Sequence, residues 1–359
     1  MRVRLFVVLI AFLLSAIVPV AAVSAAGPYR DAALGALAWV AAQQQPDGSF
    51  PGFGPGSTAD AVFAICAVDG DPNGFLRDGN SPISYLGQHA AELATNTGAV
   101  AKTILAATCA GKDPRAFGGV DLLAALEKAY DPASGHYGTD LAGHAFALLA
   151  LASVQRPIPD AATRWLRQAQ TPEGGWSWSG DPAAGGADTN STALAIQALI
   201  AAGVPSGDPS IQQALAYLHA QQNDDGGFPY QKPSPWGTDT DANSTAYVVQ
   251  ALVAAGEDPE GPAWSRGGNT PLRALLSLQL PDGAFQWQAA VPGENALATY
   301  QAIVALMLRP FPLVRTAVAE PALLPKTGLP GNGPVVLGAV GSAAIVIGWV
   351  LRHRARARG

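Results

Sequence analysis

Between residues 30 and 308 the apolar positions repeat as pairs of short helical segments. The first segment of a pair ends in an aromatic and an aliphatic residue, then three residues, Gln, three residues, Gly, one residue and a second aromatic residue. This pattern is complete over residues 39–50, 165–176 and 217–228. A fourth copy over 274–285 has Ala274 at the first aromatic position, and a degenerate copy has Asp131 in place of Gln. Repeats at intervals of about 40 to 55 residues are typical of stacked two-helix units.

The second segment of each pair is small and apolar, and a polar residue precedes it. The hexapeptide Asp188 to Ala193 leads into one such segment, and Asp241 to Ala246 leads into the next. Asp, Asn, Ser and Thr cap the free N–H groups at a helix start, and Ala-rich runs favour helix. The six predicted starts lie near Asp60, Asn96, Asp140, Asp188, Asp241 and Asn295. No segment shows an alternating strand pattern, and the second unit lacks a clear Gln/Gly turn.

This repeat resembles the QW motif of squalene and oxidosqualene cyclases. The resemblance covers residues 30–308, and we assign residues 27–308 to the domain. It implies an all-α fold, an (α/α)6 toroid of six hairpins whose inner helices line a central cavity.

The N-terminal end has the pattern of a secretory signal peptide. Arg2 and Arg4 precede an apolar stretch from Leu5 to Val23, and small residues follow it. This order is typical of a signal that is removed on export. We therefore predict a signal peptide over residues 1–26.

The C-terminal end resembles an LPxTG sorting signal. The pentapeptide is followed by an apolar stretch over 335–351, predicted to be a transmembrane helix, and by a basic tail that resists crossing the membrane. The resemblance implies that a sortase cuts after Thr327 and joins the protein to peptidoglycan, so that it meets the membrane only transiently. The alternative is a permanent anchor with a single span. A Pro- and Ala-rich linker over 309–323 precedes residues 324–359, and the motif consists of Leu324, Pro325, Lys326, Thr327 and Gly328.

The charge of the predicted mature chain is strongly negative. Six of the 21 Lys and Arg residues lie in the end segments, which leaves 15 against 27 acidic residues and a net charge of −12. An acidic surface repels phosphate backbones, so we expect no nucleic-acid partner. Cys66 and Cys109 are the two cysteines. Outside the cell they either form a disulfide or stay as buried thiols, and sequence does not decide between these.

The residues that catalyse in related families are replaced here. Class II terpene cyclases protonate their substrate with the central acid of a DxDDTA motif, and the resemblance places Asn243 at that position. An alternative register makes Asp239 and Asp241 the acids. His136, Asp140 and His144 form the nearest group with metal-ligand spacing, but we interpret them as turn and cap residues. We expect no metal and no cofactor.

We therefore predict a surface protein whose ring binds a small-molecule, glycan or protein ligand without catalysis. The alternatives are an isoprenoid-processing enzyme that uses Asp239 or Asp241, and a structural protein of the cell wall. Three glutamines assigned to matching places in the inner helices either join neighbouring hairpins or face a ligand. The capping residues are expected at the cavity mouth. The aromatic residues of the loops either pack within their hairpins or stand at the mouth as a surface for a ligand. The ligand candidates are Gln197, Gln250, Gln301, Asp188, Asn190, Asp241, Asn243, Trp176, Trp178, Trp236 and Trp287.

Overall fold

Thirteen α-helices make up most of the computed structural model, which describes residues 27–183, 186–235 and 237–313. The predicted signal peptide, the sorting signal and Trp236 lie outside the described residues. The helices are α1 Pro28–Gln43, α2 Pro55–Ala67, α3 Pro82–Gln88, α4 Ala90–Leu93, α5 Thr97–Cys109, α6 Leu122–Lys128, α7 Leu141–Ser153, α8 Asp160–Gln168, α9 Thr189–Ala201, α10 Pro209–Gln221, α11 Ala242–Ala255, α12 Pro271–Ser277 and α13 Ala296–Leu306. Short 3-10 helices span Pro114–Ala116 and Pro262–Trp264.

The helices form six hairpins that close into a ring, as predicted. The inner helices α2, α5, α7, α9, α11 and α13 each pack against the next, and α13 packs against α2. The outer layer consists of α1, α3 with α4, α6, α8, α10 and α12. Closure is completed outside by α1, which packs against both α12 and α13. The (α/α)6 toroid is therefore confirmed.

Most inner helices begin at the polar residues that the sequence indicated. Asn96, Asp140, Asp188, Asp241 and Asn295 each accept a hydrogen bond from the backbone N–H three residues later. The exception is α2, which begins at Pro55 after Gly54. Asp60 therefore lies inside that helix, so its predicted place at the helix start is wrong.

Where the repeat has its glutamine, this residue joins its hairpin to the next. Gln170 Nε2 donates to the carbonyl of Gly174 in its own turn (2.7 Å) and to that of Ser210 in the next hairpin (2.8 Å). Gln279 does the same with Gly283 (3.1 Å) and with Ala32 (2.9 Å), which links the last hairpin to the first. The glutamines of the repeat thus form contacts between hairpins in the turns.

The glycine of the repeat is required by the same contact. Gly283 has φ +98°, and a Cβ there would lie 2.5 Å from the Gly35 carbonyl oxygen of α1. Gly174 has φ +91°, and its Cβ would lie 2.7 Å from the Gln213 carbonyl oxygen. Only glycine allows both this backbone conformation and this close approach.

A threonine four residues after the cap holds the second aromatic residue of the repeat. Thr245 Oγ1 accepts from the Phe228 N–H (3.0 Å), and Thr192 Oγ1 accepts from the Trp176 N–H (2.9 Å). In the third hairpin His144 takes this role, because its Nδ1 accepts from the Tyr137 N–H (3.0 Å).

Three further observations bear on the sequence predictions. A two-stranded antiparallel hairpin, β1 Tyr130–Asp131 and β2 His136–Tyr137, occupies the degenerate turn where no strand was expected. Cys66 and Cys109 form a disulfide between α2 and α5, with their Cα atoms 6.2 Å apart. None of the helices within the described ranges has the length and apolar character needed to cross a bilayer.

Candidate functional site

The inner helices run in parallel around the ring axis, with their starting ends at one mouth. Contacts between side chains in the first turns of neighbouring inner helices indicate this arrangement. Lys102 on α5 donates to Asp60 on α2 (2.7 Å), and both residues lie six positions after the residue that precedes their helix. Asn243 near the start of α11 donates to Gln301 on α13 (2.8 Å). Residues three apart share a helix face, so the sixth and ninth positions after each cap face the axis together.

The axis is most accessible at the mouth and closed further in. Asn190 and Asn243, two positions after their caps, are partly exposed. Six positions after the caps lie Asp60, Lys102, Phe146, Leu194, Tyr247 and Gln301, and three of these side chains remain partly exposed. Nine positions after the caps lie Phe63, Leu105, Leu149, Gln197, Gln250 and Val304, all of them buried. The arrangement is a cup, which we call the axial cup.

The register of the glutamines differs from the sequence prediction. Gln197 and Gln250 lie nine positions after their caps, whereas Gln301 lies six positions after Asn295, about one turn closer to the mouth. Val304 is the counterpart of the other two, so the predicted equivalence of the three glutamines is wrong. The spacing from Asn295 to Gln301 is three residues shorter than in the other two helices, and this difference is already present in the sequence.

The two inner glutamines make few hydrogen bonds. Gln250 Nε2 donates to the Ala246 carbonyl of its own helix (3.3 Å), and among the described residues its Oε1 has no hydrogen-bond partner. Gln197 Oε1 accepts from the Phe311 N–H (2.9 Å). Neither side chain joins neighbouring hairpins, whereas Gln301 does so by accepting from Asn243.

Exposed aromatic side chains surround part of the mouth. The carbonyls of Trp178, Tyr230 and Trp287 accept hydrogen bonds from the first residues of α7, α9 and α11, which fixes these aromatic residues beside the helix starts. Their exposed fractions are 69%, 44% and 40%. Trp178 and Trp287 therefore lie where the sequence placed them.

Trp176 does not belong to this rim. Its side chain is fully buried, and its Nε1 donates to the Leu166 carbonyl (2.6 Å). Of the two alternatives for Trp176, the structure shows packing inside the hairpin, so Trp176 is not a ligand candidate at the rim. Trp178, two positions later, is the residue whose side chain is exposed to solvent.

Two buried carboxyls lie at the mouth between the fourth and fifth hairpins. Asp241 is 3% exposed and Asp188 is 2% exposed. Asp241 Oδ1 accepts from the Ser244 N–H (2.7 Å), and its Oδ2 accepts from the Ser244 hydroxyl (2.9 Å). Asp188 Oδ1 accepts from the Ser191 N–H (2.7 Å), while its buried Oδ2 has no hydrogen bond of normal geometry within the described part of the chain. Tyr230 lies beside both carboxyls.

Burial changes the protonation of both groups. Removal from water disfavours the charged carboxylate, and this raises the pKa of Asp241 to about 6. Burial also raises the pKa of Asp188. Hydrogen bonds from Ser244 and Ser191 oppose these shifts but do not cancel them. Asp241 can therefore hold a proton at mildly acidic pH while remaining ionisable, which is what a general acid needs.

Asp239, the other acid proposed in the alternative register, lies in a different environment. Asp239 is exposed in the loop before α11, where its carbonyl accepts from Gln288. The structure therefore separates two residues that sequence alone had left equivalent.

Both ring nitrogens of His144 are already occupied by protein hydrogen bonds. Because His144 Nδ1 accepts from the Tyr137 N–H, its Nε2 carries the proton and donates to the Ala162 carbonyl (3.0 Å). Burial, with a smaller effect from nearby His136, lowers the pKa of His144 to about 3. Among residues 27–183, 186–235 and 237–313 no group of three acidic, histidine or cysteine residues has metal-binding geometry.

Comparison with known proteins identifies sequence and structural relatives of this ring. The model of the squalene-hopene cyclase C-terminal domain matches residues 123–294. Drimenyl diphosphate synthase of Streptomyces showdoensis is 30% identical over 152 residues, which cover 40% of this chain and 26% of that protein. The matched region is thus about a quarter of the length of the curated relative.

Solved structures show the same fold at low identity. The type II terpene cyclase MstE from Scytonema has a TM-score of 0.56 at 14% identity, with 78% of this chain and 97% of that chain covered. A wild-type glycosidase has a TM-score of 0.51 at 13% identity, with 79% of this chain and 98% of the glycosidase chain covered. Identities this low establish the fold and leave the chemistry open.

These comparisons correct the predicted function. The relatives found by sequence are the squalene-hopene cyclase C-terminal domain and drimenyl diphosphate synthase, both of which are parts of enzymes or enzymes themselves. The prediction of a ring that binds without catalysis is therefore wrong.

Proposed function

We propose that this chain, a member of the terpenoid-cyclase α/α toroid superfamily, is an isoprenoid-cyclising enzyme in which Asp241 protonates the substrate. The observation that carries the proposal is the buried Asp241 carboxyl at the mouth of the ring, whose pKa burial raises to about 6. A group poised between its protonated and ionised forms near working pH is an efficient proton donor. Relatedness to drimenyl diphosphate synthase supports isoprenoids as the substrate class.

Aromatic rings near the axial cup support this substrate class. Tyr247 is partly exposed at the level of the cup, and Phe146 and Phe63 lie buried at and below that level on two other inner helices. Aromatic faces carry negative electrostatic potential and attract cations, and the attraction is strongest where water is excluded. A carbocation formed by protonation of a double bond would be stabilised by these rings.

Asn243 distinguishes this ring from the cyclase motif that it resembles. Its amide is bonded to Gln301 across the mouth and has no acidic proton to give. In our proposal the acid function moves two residues back, to Asp241. Asp60 is less suited to this step, because its carboxylate is already bonded to the Lys102 ammonium (2.7 Å).

The proposal is tested by Asp241→Asn, with Asp188→Asn as the matched control. Asparagine is as good a helix cap as aspartate, so both variants retain the bond to the backbone N–H three residues later. The purified chain is incubated with squalene, farnesyl diphosphate or geranylgeranyl diphosphate, and products are identified by mass spectrometry. We expect a cyclic product whose rate falls by about 100-fold or more in Asp241→Asn and stays within about threefold of wild type in Asp188→Asn.

Asn243→Asp is informative in the same assay. If it raises the rate while Asp241→Asn has no effect, the donor lies at position 243 of the ring and the assignment of Asp241 is refuted. Absence of any cyclic product from the folded wild-type protein on all three substrates would refute the proposed activity itself.

We also propose export and attachment to the cell wall, on the basis of the terminal segments. Release of the protein from cells by muramidase, with peptidoglycan fragments attached at Thr327, would support this. Thr327→Ala is expected to leave the protein membrane-bound or to release it without such fragments.

A further inference from the structure

Three exposed aromatic side chains occupy the same place in successive hairpins. Trp178, Tyr230 and Trp287 each lie two residues after the second aromatic residue of their repeat. Gly52 occupies this place in the first hairpin and Thr139 in the third. The exposed aromatic residues at this place therefore belong to the fourth, fifth and sixth hairpins, and we call them the aromatic row.

Hydrogen bonds fix the spacing of the aromatic row. Each of its carbonyls accepts from the first residue of an inner helix, at 3.2 Å for Trp178, 2.8 Å for Tyr230 and 2.9 Å for Trp287. These helices, α7, α9 and α11, pack side by side in that order. Packed helices lie about 8–10 Å apart, so the backbone of the row advances by about that distance from one aromatic residue to the next. A row of this length suits a linear polymer better than a single small molecule.

The exposed hydrophobic side chains are concentrated at the mouth. Within residues 27–183, 186–235 and 237–313, seven large hydrophobic side chains are exposed, and five of them lie in loops that lead into inner helices. These five are Phe53, Trp178, Tyr230, Trp287 and Val291. A group of exposed hydrophobic residues marks a binding surface, whereas single ones are normal.

Uncharged amides lie beside the aromatic row. Asn190 and Asn243, two positions after the caps of α9 and α11, are partly exposed. Asn190 Oδ1 has no hydrogen-bond partner in the part of the chain that the structure describes. Asn243 donates to Gln301, and its own oxygen can accept. A primary amide both donates and accepts hydrogen bonds, and this suits hydroxyl groups.

The charge of the ring limits the class of ligand. Eight of the 21 Lys and Arg residues and one of the 27 acidic residues lie outside residues 27–313, which leaves 13 against 26 and a net charge of −13. Such a surface repels polyanions. An uncharged sugar has flat faces of C–H bonds and hydroxyl groups at its edges, so aromatic rings can stack on the faces while amides bond to the hydroxyls.

We propose that the aromatic row binds a neutral linear glycan, with Asn190 and Asn243 as hydrogen-bonding partners of its hydroxyl groups. This interaction goes beyond the proposed catalysis and does not rest on it. The row occupies the half of the mouth formed by α7, α9 and α11. The other half is formed by α13, α2 and α5.

Isothermal titration calorimetry of the full chain with neutral oligosaccharides tests the proposal. The probes are β-linked oligomers of glucose and of N-acetylglucosamine with two, four and six sugar units, and hexalysine represents a basic peptide. We expect the Kd to fall with length in at least one oligosaccharide series, because a longer chain spans more of the row. The series that binds identifies the type of sugar.

Variants of the row separate stacking from general apolar contact. Trp178→Ala and Trp287→Ala are each expected to weaken binding of the hexamer by about tenfold. Trp287→Leu should weaken it nearly as much, whereas Trp287→Phe retains a flat ring and should stay within about threefold of wild type. The control Leu76→Ala removes a side chain that is 60% exposed outside the row and should leave the Kd unchanged. Because these side chains are exposed, Tm should stay the same in every variant.

Absence of binding by both hexamers overturns the inference, and hexalysine binding that depends on Trp287 would then assign the row to a basic peptide. Hexamer binding that the double variant Trp178→Ala/Trp287→Ala leaves unchanged overturns it as well. These measurements need no turnover, so their outcome is separate from that of the test of Asp241.

Discussion

Stability measured against pH tests the environment of Asp241 independently of any activity. The folded-state pKa is about 6, compared with 3.8 for the free side chain. The folded protein therefore holds this proton more tightly than the unfolded chain does. The contribution to stability is complete below about pH 4 and is lost as pH rises towards 6.

The size of this change in stability follows from the shift in the pKa of Asp241. Two pKa units correspond to about 3 kcal/mol at full ionisation, since each unit is worth about 1.4 kcal/mol. Asp241→Asn removes the buried charge and retains the cap. Its amide can donate to the Ser244 hydroxyl, which turns to accept. We expect the variant to be about 1–3 kcal/mol more stable than wild type at pH 7.5 and within about 0.5 kcal/mol of it at pH 4.

Urea unfolding followed by circular dichroism at four pH values between 4 and 7.5 provides the measurement. Asp140→Asn is the control, because Asp140 caps α7 in the same way but is only partly buried. It should show no comparable gain at neutral pH. A free-energy difference between Asp241→Asn and wild type that does not change with pH would refute the reasoning. It would also remove the basis for Asp241 as a proton donor.

Two further predictions concern the closed ring. Gln279→Leu removes the two side-chain hydrogen bonds at the contact between the last hairpin and the first, and should lower the unfolding free energy by about 1–3 kcal/mol. Amide hydrogen exchange in α1 should then become faster. The control Gln170→Leu should lower the unfolding free energy by a similar amount and leave exchange in α1 unchanged. Unchanged exchange in α1 of Gln279→Leu would argue against closure through this contact. Reduction of the disulfide, which spans 43 residues, should lower the unfolding free energy by about 4 kcal/mol. Denaturation with and without dithiothreitol, compared with the Cys66→Ala/Cys109→Ala variant, checks this; equal midpoints would contradict it.

Local physics explains which features could be predicted from sequence. Helix caps, Ala-rich runs and glycine turns act over a few residues, so the six hairpins and most of their starting points were evident. The glutamine of the repeat could be recognised as part of a motif. That it donates to the neighbouring hairpin required the structure, because its second acceptor lies some 40 residues away or, for Gln279, 247 residues away.

Tertiary packing decided which tryptophan side chains near the mouth are exposed to solvent. Trp176 and Trp178 are two residues apart and chemically identical, yet one is fully buried and the other is 69% exposed. The difference arises because the hairpin turn directs the first ring towards the Leu166 carbonyl. Composition and spacing contain no information about this direction.

The sequence by itself determined the repeat, the helical character of each unit and the chemical identity of the candidate acids. Tertiary structure alone decided that Asp241 is buried while Asp239 is exposed, and burial is what changes protonation. It also brought Phe311 against Gln197, 114 residues earlier in the chain, at the centre of the ring. Closing a ring makes distant residues neighbours, and no local pattern reports such a contact.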